Sequence, residues 1–324
     1  MSVPCNSPLR FKPLFRRYLW GGRRLATTLG KSLGPGDDYA ESWELVDHDE
    51  DQSVVQDGPL AGRTLQQLVS ECSSDLLGQH AGCSRFPLLF KFLDCNRKLS
   101  VQVHPNDQQG AQLAPPDLGK TEAWVVLDAE PGSKIYAGLQ PGLSQQDLCN
   151  ALQAGTCEDC LHSFEPQVGD CVFIEAGTIH ALGAGLVIAE IQQASDTTFR
   201  LFDWNRTDSS GNPRQLHIEE SLRVINFSRG PVSVQSPQAT KFPGREQLVA
   251  CDKFILDRCT WKNPQAVGGD DRFHLIVLME GEANILGATL SAAETLLLPA
   301  EAGIVEIAPQ DEVVLLDIYL PAIQ

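Results

Sequence analysis

Residues 273–319 run as a succession of short apolar stretches cut at Gly281, Gly287, Pro299 and Gly303, and this spacing restricts the fold more than any other feature. Strands that short, separated by tight turns, pair with neighbours close in sequence and build antiparallel sheet, whose apolar face a second sheet has to cover. The pattern recurs upstream, where residues 87–93, 99–104, 122–127 and two segments between 186 and 201 read as strands. The chain is therefore expected to be mainly β, an antiparallel sandwich or barrel repeated in tandem, with a small helical portion. Residues 64–77 carry Leu65, Leu68, Val69, Leu76 and Leu77 at helical spacing, residues 143–152 form an amphipathic stretch that Ser144 can cap, and residues 213–224 read as helical. A length of 324 residues suits two domains. The division expected is 1–230, carrying the chemistry, and 231–324, with the N-terminal strands free to join either.

The stretch 99–104 needs a special explanation. It alternates strictly, so Leu99, Val101 and Val103 share one face while Ser100, Gln102 and His104 share the other. A polar row pointing into a sandwich requires something polar to meet it. In the next strand Glu122, Trp124 and Val126 share a face, with Lys120 on the same side, and His180 follows a tight turn at Gly177. Gln102, His104, Glu122 and His180 together offer two imidazoles, a carboxylate and an amide oxygen. That is a donor set for one divalent ion, with zinc favoured over iron(II) or manganese.

Charge narrows the partner class. A formal net charge of -17 argues against nucleic acid or an anionic membrane surface, both of which need a basic footprint. A small anionic substrate would instead need a local cationic site within an acidic protein. Lys120 and Arg200 are the candidates for it, Arg200 sharing a strand face with Asp196 and Thr198. There is no run of eighteen apolar residues and no signal-peptide core near the start, so a cytoplasmic protein is expected. Its ten cysteines then read as reduced thiols, and Cys157-Glu-Asp-Cys160, the one CxxC, as a turn after a helix.

Four blocks carry a family resemblance: Gln102-Val-His-Pro-Asn-Asp107, Gly119-Lys-Thr-Glu122, Ala176-Gly-Thr-Ile-His-Ala-Leu-Gly183 and Asp196-Thr-Thr-Phe-Arg-Leu-Phe-Asp203. With Glu41-Ser-Trp-Glu44 and Leu88-Leu-Phe-Lys91, they resemble the signature blocks of type I mannose-6-phosphate isomerases, in order, over roughly residues 10 to 226. The resemblance implies two cupin-like jelly rolls and zinc held by Gln102, His104, Glu122 and His180. It also implies a mannose-6-phosphate substrate. Two positions depart from the pattern: Gly119 stands where longer members commonly carry a histidine, which leaves the ring-opening group unassigned, and Glu175 stands where proline is more usual.

Aldose–ketose interconversion needs an electrophile, a base and a phosphate anchor. Arg200 and Lys120 are the cations available for the phosphate or the enediolate oxygen. Glu190 and Asp196 are the candidate bases, unless both serve as structural partners of Arg200. The substrate-binding set is completed by Ser100, Trp20 and Glu44. Two other readings stay open, an iron(II) cupin oxygenase built on two histidines and a carboxylate, and a non-catalytic binder of sugar phosphates.

Overall fold

A computed structural model describes residues 4–207 and 211–323. The chain divides into two compact units, one formed by Phe15–Ser42 with Phe90–Val234, the other by Met1–Leu14, Trp43–Leu89 and Gln235–Gln324. The chain changes unit after Leu14, Ser42, Leu89 and Val234, so the span 1–230, expected as one domain with only its N-terminal strands free to join either, is shared between the two units.

The unit containing Phe90–Val234 has a five-stranded sheet in the order Leu161–Phe164, Ile135–Leu139, His180–Leu182, Val101–Val103, Phe199–Phe202. A six-stranded sheet runs Cys171–Ile174, Glu122–Ala129, Leu186–Gln193, Leu88–Cys95, Tyr39–Leu45, Leu14–Gly22. Trp124, Val126, Ile174 and Ile188 of the second sheet pack with Ile135, Ala137 and Leu182 of the first, which makes the pair a sandwich with a shared core. Val101 and Val103 face the other way, into a separate cluster with Leu148, Cys157, Cys160 and Val224. The five-stranded sheet is thus apolar outward because helices cover it there, and Gln102 is left to point between the sheets.

Those covering elements follow local rules. The helix Gln145–Ala154 begins in a capping box, Ser144 Oγ accepting from the Asp147 amide at 3.3 Å and Asp147 Oδ2 from the Ser144 amide at 2.8 Å. It ends at Gly155, whose φ of 72° suits glycine. Cys157–Cys160 follows as a single 3-10 turn with both thiols buried, as the sequence suggested. The helix expected over 213–224 is shorter, Ile218–Val224. The residues ahead of it run beside the Phe199–Phe202 strand instead: the His217 amide donates to the Arg200 carbonyl at 2.7 Å, and the Arg200 amide donates to His217 Nδ1 at 3.1 Å. Likewise the single helix expected over 64–77 is two, Leu65–Glu71 and Ser73–Leu77, broken at Cys72 (φ -138°, ψ 41°).

The other unit is also a two-sheet sandwich. Six strands order as Gln238–Ala239, Arg245–Ala250, Ile255–Trp261, Val313–Tyr319, His274–Glu280, Thr295–Leu298, and four as Gln265–Gly268, Ile304–Pro309, Glu282–Ile285, Ala288–Ser291. Ile276, Leu278, Leu296 and Leu315 from the first sheet pack against Ala283, Ile285, Leu290 and Ile307 from the second. The hairpin between Ile285 and Ala288 turns on Leu286 and Gly287, both at positive φ (50° and 83°), the geometry that matches strand twist. The fold class is therefore the mainly β, cupin-like one expected from the short-strand pattern. Among the described residues, no helix is long and apolar enough to cross a membrane.

Candidate active site

Three buried side chains converge between the sheets of the Phe90–Val234 unit. Glu122 opens a strand of the six-stranded sheet, His180 opens one in the five-stranded sheet, and His104 directly follows Val101–Val103. His104 Nε2 lies 3.5 Å from Glu122 Oε2, and His180 Nε2 lies 3.3 Å from Glu122 Oε1. The three possible donor atoms all lie within 4.8 Å of one another.

Each imidazole is oriented from behind. His104 Nδ1 lies 3.0 Å from the Thr197 carbonyl and His180 Nδ1 lies 2.8 Å from the Thr178 carbonyl, contacts in which Nδ1 carries the proton and Nε2 keeps its lone pair. Burial, more than any neighbour, holds His104 well below the ordinary imidazole range and pushes His180 down to about 4, so both rings are neutral. Burial, followed by the charge of Glu190, pushes Glu122 up to about 8. His104 Nε2, His180 Nε2 and Glu122 Oε2 are all buried without a hydrogen-bond partner. Orphaned acceptors are costly, and a divalent cation satisfies all three while stabilising the ionised carboxylate. The residues fit such an ion. Gln102, the Cα partner of His180 across the strands, lines the adjoining cavity and can add its amide oxygen.

That cavity encloses about 260 Å³. Trp20, Leu93, Leu99, Trp124 and Leu182 give it an apolar wall, and Ser100, Gln102 and Thr198 a polar one. Its charged lining is Glu41, Lys91, Lys120, Glu122, Glu190, Asp196, Arg200 and Arg214. Lys120 Nζ stands 3.8 Å from Glu122 Oε2, beside the ligand cluster. Glu190 is held by two donors: Oε2 accepts from Trp124 Nε1 at 3.1 Å, and Oε1 lies 3.2 Å from Lys91 Nζ. Lys91 also faces Glu41 Oε2 at 3.6 Å. Burial alone would lower the Lys91 ammonium, but Glu190 and then Glu41 outweigh it and hold it above its ordinary value.

Of the residues singled out in the sequence, Trp20, Ser100, Gln102, Lys120, Glu122, Glu190, Asp196 and Arg200 line the cavity, and His104 and His180 join Glu122. Glu44 is the exception. It is buried on the Tyr39–Leu45 strand, three residues from Glu41, so alternation turns it to the opposite face while Glu41 reaches the cavity. The carboxylate partners also differ from expectation, because Glu190 pairs with Lys91, whereas Arg200 Nη1 donates to the Gln215 carbonyl at 2.9 Å. Tyr18, Lys91 and Arg214 were not anticipated as lining residues. For Lys91 a signal existed, since a lysine inside the apolar run 87–93 has to find a buried carboxylate.

Gly119 has a structural cause. A Cβ there would stand 2.5 Å from the Asp107 amide nitrogen and 2.6 Å from the Asn106 carbonyl carbon, both backbone, so no side chain fits.

Comparison with known proteins places this geometry. The model of the phosphomannose isomerase type I catalytic domain matches residues 9–123. The chain is 35% identical over 283 residues to mannose-6-phosphate isomerase ManA of Bacillus subtilis, covering 87% of this chain and 88% of that protein. It is 37% identical over 255 residues to a mannose-6-phosphate isomerase of Streptococcus mutans, covering 79% and 78% of the two chains. The crystal structure of the mannose 6-phosphate isomerase from Bacillus subtilis superposes with a TM-score of 0.86 at 28% identity, covering 97% of this chain and all of that one.

Proposed function

From the premise that this chain belongs to the type I phosphomannose isomerases, we propose that the cavity beside His104, Glu122 and His180 is where mannose-6-phosphate and fructose-6-phosphate interconvert. The chain is a metal-dependent aldose–ketose isomerase of sugar phosphates. Zinc is the ion proposed, on a donor set of two neutral imidazoles, one carboxylate and the Gln102 amide. When bound it supplies a Lewis-acidic contact for the sugar oxygens.

The chain's own residues carry the rest of the reaction. Lys120, next to Glu122, sits where an enediolate oxygen would develop charge and can stabilise it as a point charge. A cavity carboxylate moves the proton between the two carbons. Glu190, held by Trp124 and Lys91, has the more fixed geometry, while Asp196 lies ahead of the Phe199–Phe202 strand and lines the same cavity as Arg200. Trp20 and Ser100 line the space for the sugar, and Arg200 receives the phosphate. The register supports this division of labour. Gln102 pairs with His180 on one side and with Arg200 on the other, so the Cα atoms of His180 and Arg200 stand two strand spacings apart, about 10 Å. An extended hexose with a terminal phosphate has about that reach. A cytoplasmic setting belongs to the same proposal.

The observation that carries the reading is the set of three orphaned ligand atoms opening on a cavity lined by Lys91, Lys120, Arg200 and Arg214. Lys91 is taken up by Glu190 and Glu41, so Lys120, Arg200 and Arg214 are the cations that favour a sugar phosphate over the oxygenase reading. The test is a coupled assay of fructose-6-phosphate formation from mannose-6-phosphate, with and without chelator. Chelator-sensitive turnover is expected, and a metal-loaded protein that forms no fructose-6-phosphate would sink the proposal.

A further inference from the structure

Behind Arg200 the cavity wall holds more positive charge than one guanidinium. Arg206 and Arg214 both bind Asp203, a buried carboxylate at the end of the Asp196–Asp203 block. Around Asp203 three guanidinium groups meet one carboxylate, a local excess of two positive charges, although the cavity lining as a whole sets four cations against Glu41, Glu122, Glu190 and Asp196. Burial first, and then the nearby charge of Arg214, lowers the pKa of Arg200; Asp203 opposes this, and Arg206 adds to it. Cations crowded this way call for an anion, and a phosphomonoester near neutrality carries close to two negative charges.

The hydrogen bonds separate the three arginines by role. Arg206 is tied to the protein through all three nitrogens: Nε donates to the Asp203 carbonyl, Nη1 to the Lys98 carbonyl and Nη2 to Asp203 Oδ1. Arg214 is gripped along one edge only, Nε to Asp203 Oδ2 and Nη2 to Asp203 Oδ1, each at 2.7 Å. Its Nη1 has no hydrogen-bond partner among the described residues. Arg200 keeps Nε buried and without a partner. Arg214 also lines a second cavity of about 320 Å³, shared with Trp20 and bounded by Arg97 and Arg206, so it stands on the wall between the two spaces.

We propose that Arg214 is a specificity-determining residue that clamps the substrate's phosphate together with Arg200, and that Asp203 is the positioning residue that aims it. The proposal rests on the isomerase reading above. A side-on carboxylate fixes the plane of the guanidinium, which lowers the entropy cost of presenting its free edge to a second, tetrahedral anion.

The test uses the full-length, metal-loaded protein and four forms: wild type, Arg214→Gln, Arg214→Lys and Asp203→Asn. For each, KM and kcat for mannose-6-phosphate, the competitive inhibition constant of inorganic phosphate, metal content and Tm are measured. Loss of one charge-assisted contact predicts a rise of roughly 10- to 100-fold in both KM and the phosphate constant for Arg214→Gln, with kcat changed much less. Arg214→Lys should recover part of the loss. Asp203→Asn should give the same KM-against-kcat split in smaller measure; if that variant does not fold, Arg214→Gln decides alone. Unchanged KM and phosphate inhibition in Arg214→Gln, or a fall in kcat that tracks lost metal or Tm, overturns the proposal. A wild type that makes no fructose-6-phosphate, yet loses phosphate binding on Arg214→Gln in calorimetry, means that the isomerase reading has failed and the anion site has not.

Discussion

Lys91 Nζ lies 3.2 Å from Glu190 Oε1, an ion pair whose two side chains are both buried in the cavity wall. Because Glu41 approaches the same ammonium at 3.6 Å, Lys91 is the cation that two buried carboxylates share. Removing it takes a buried cation from both carboxylates at once. Lys91→Met is expected to lower stability by about 3–5 kcal/mol, the usual cost of breaking a buried pair from one side. Turnover should fall as well, because Glu190 loses one of the two groups that hold it. Denaturant midpoints and steady-state kinetics measure the two effects, and an unchanged midpoint would show that water replaces the ammonium.

His180→Ala should remove metal and activity together. The variant deletes one of three convergent donor atoms and the link that the Thr178 carbonyl provides to orient it. Elemental analysis after dialysis is expected to show metal well below one equivalent, with turnover reduced in proportion. Full metal retention in the variant would remove His180 from the ligand set.

Gly119→Ala tests whether the departure at this position is forced. The new methyl would meet backbone at 2.5 and 2.6 Å, so the loop ahead of Lys120 has to shift. A destabilisation of about 1–3 kcal/mol follows from overpacking of this kind, with a loss of turnover through the displaced Lys120. Thermal melts check the first and kinetics the second. A neutral variant would mean that the loop yields freely.

The C-terminal sandwich contains a pH-dependent element away from the active site. His274 places Nδ1 2.7 Å from Asp317 Oδ1 and Nε2 3.2 Å from Asp270 Oδ1, so the doubly protonated ring satisfies both carboxylates. Burial alone would lower its pKa, but Asp317 and then Asp270 outweigh that and raise it from 6.5 to about 9. A raised folded-state pKa stabilises fully below the unfolded value and loses its effect as pH climbs through the folded one. His274→Gln should therefore cost most below pH 6.5, on the order of 3 kcal/mol, with the penalty shrinking as pH rises toward 9. Urea midpoints of both proteins at pH 6 and pH 9 measure the difference. A penalty independent of pH would assign the loss to packing alone.

Much of the site could be read in the chain because strand alternation is unambiguous where one face is polar. Ser100, Gln102 and His104 declared their face, as did Asp196, Thr198 and Arg200. The Tyr39–Leu45 strand gave no such signal, since all seven residues are buried. With both faces covered, nothing in the sequence distinguished Glu41 from Glu44. Arg214 was hidden for another reason: the segment before Ile218 resembles a helix start, and only its pairing with Asp203 and the Phe199–Phe202 strand turns it toward the cavity. The interleaving of the two units was equally hidden, because contacts between residues far apart in sequence leave no periodic trace in either segment.

The register that sets His180 beside Gln102 and Gln102 beside Arg200 makes the sheet a ruler. Main-chain pairing fixes where the three Cα atoms stand, about 10 Å from His180 to Arg200 across two strand spacings, and leaves the last few ångströms of reach to the side chains. A substitution on any of these strands changes the group that is presented and not the separation of the strands that present it.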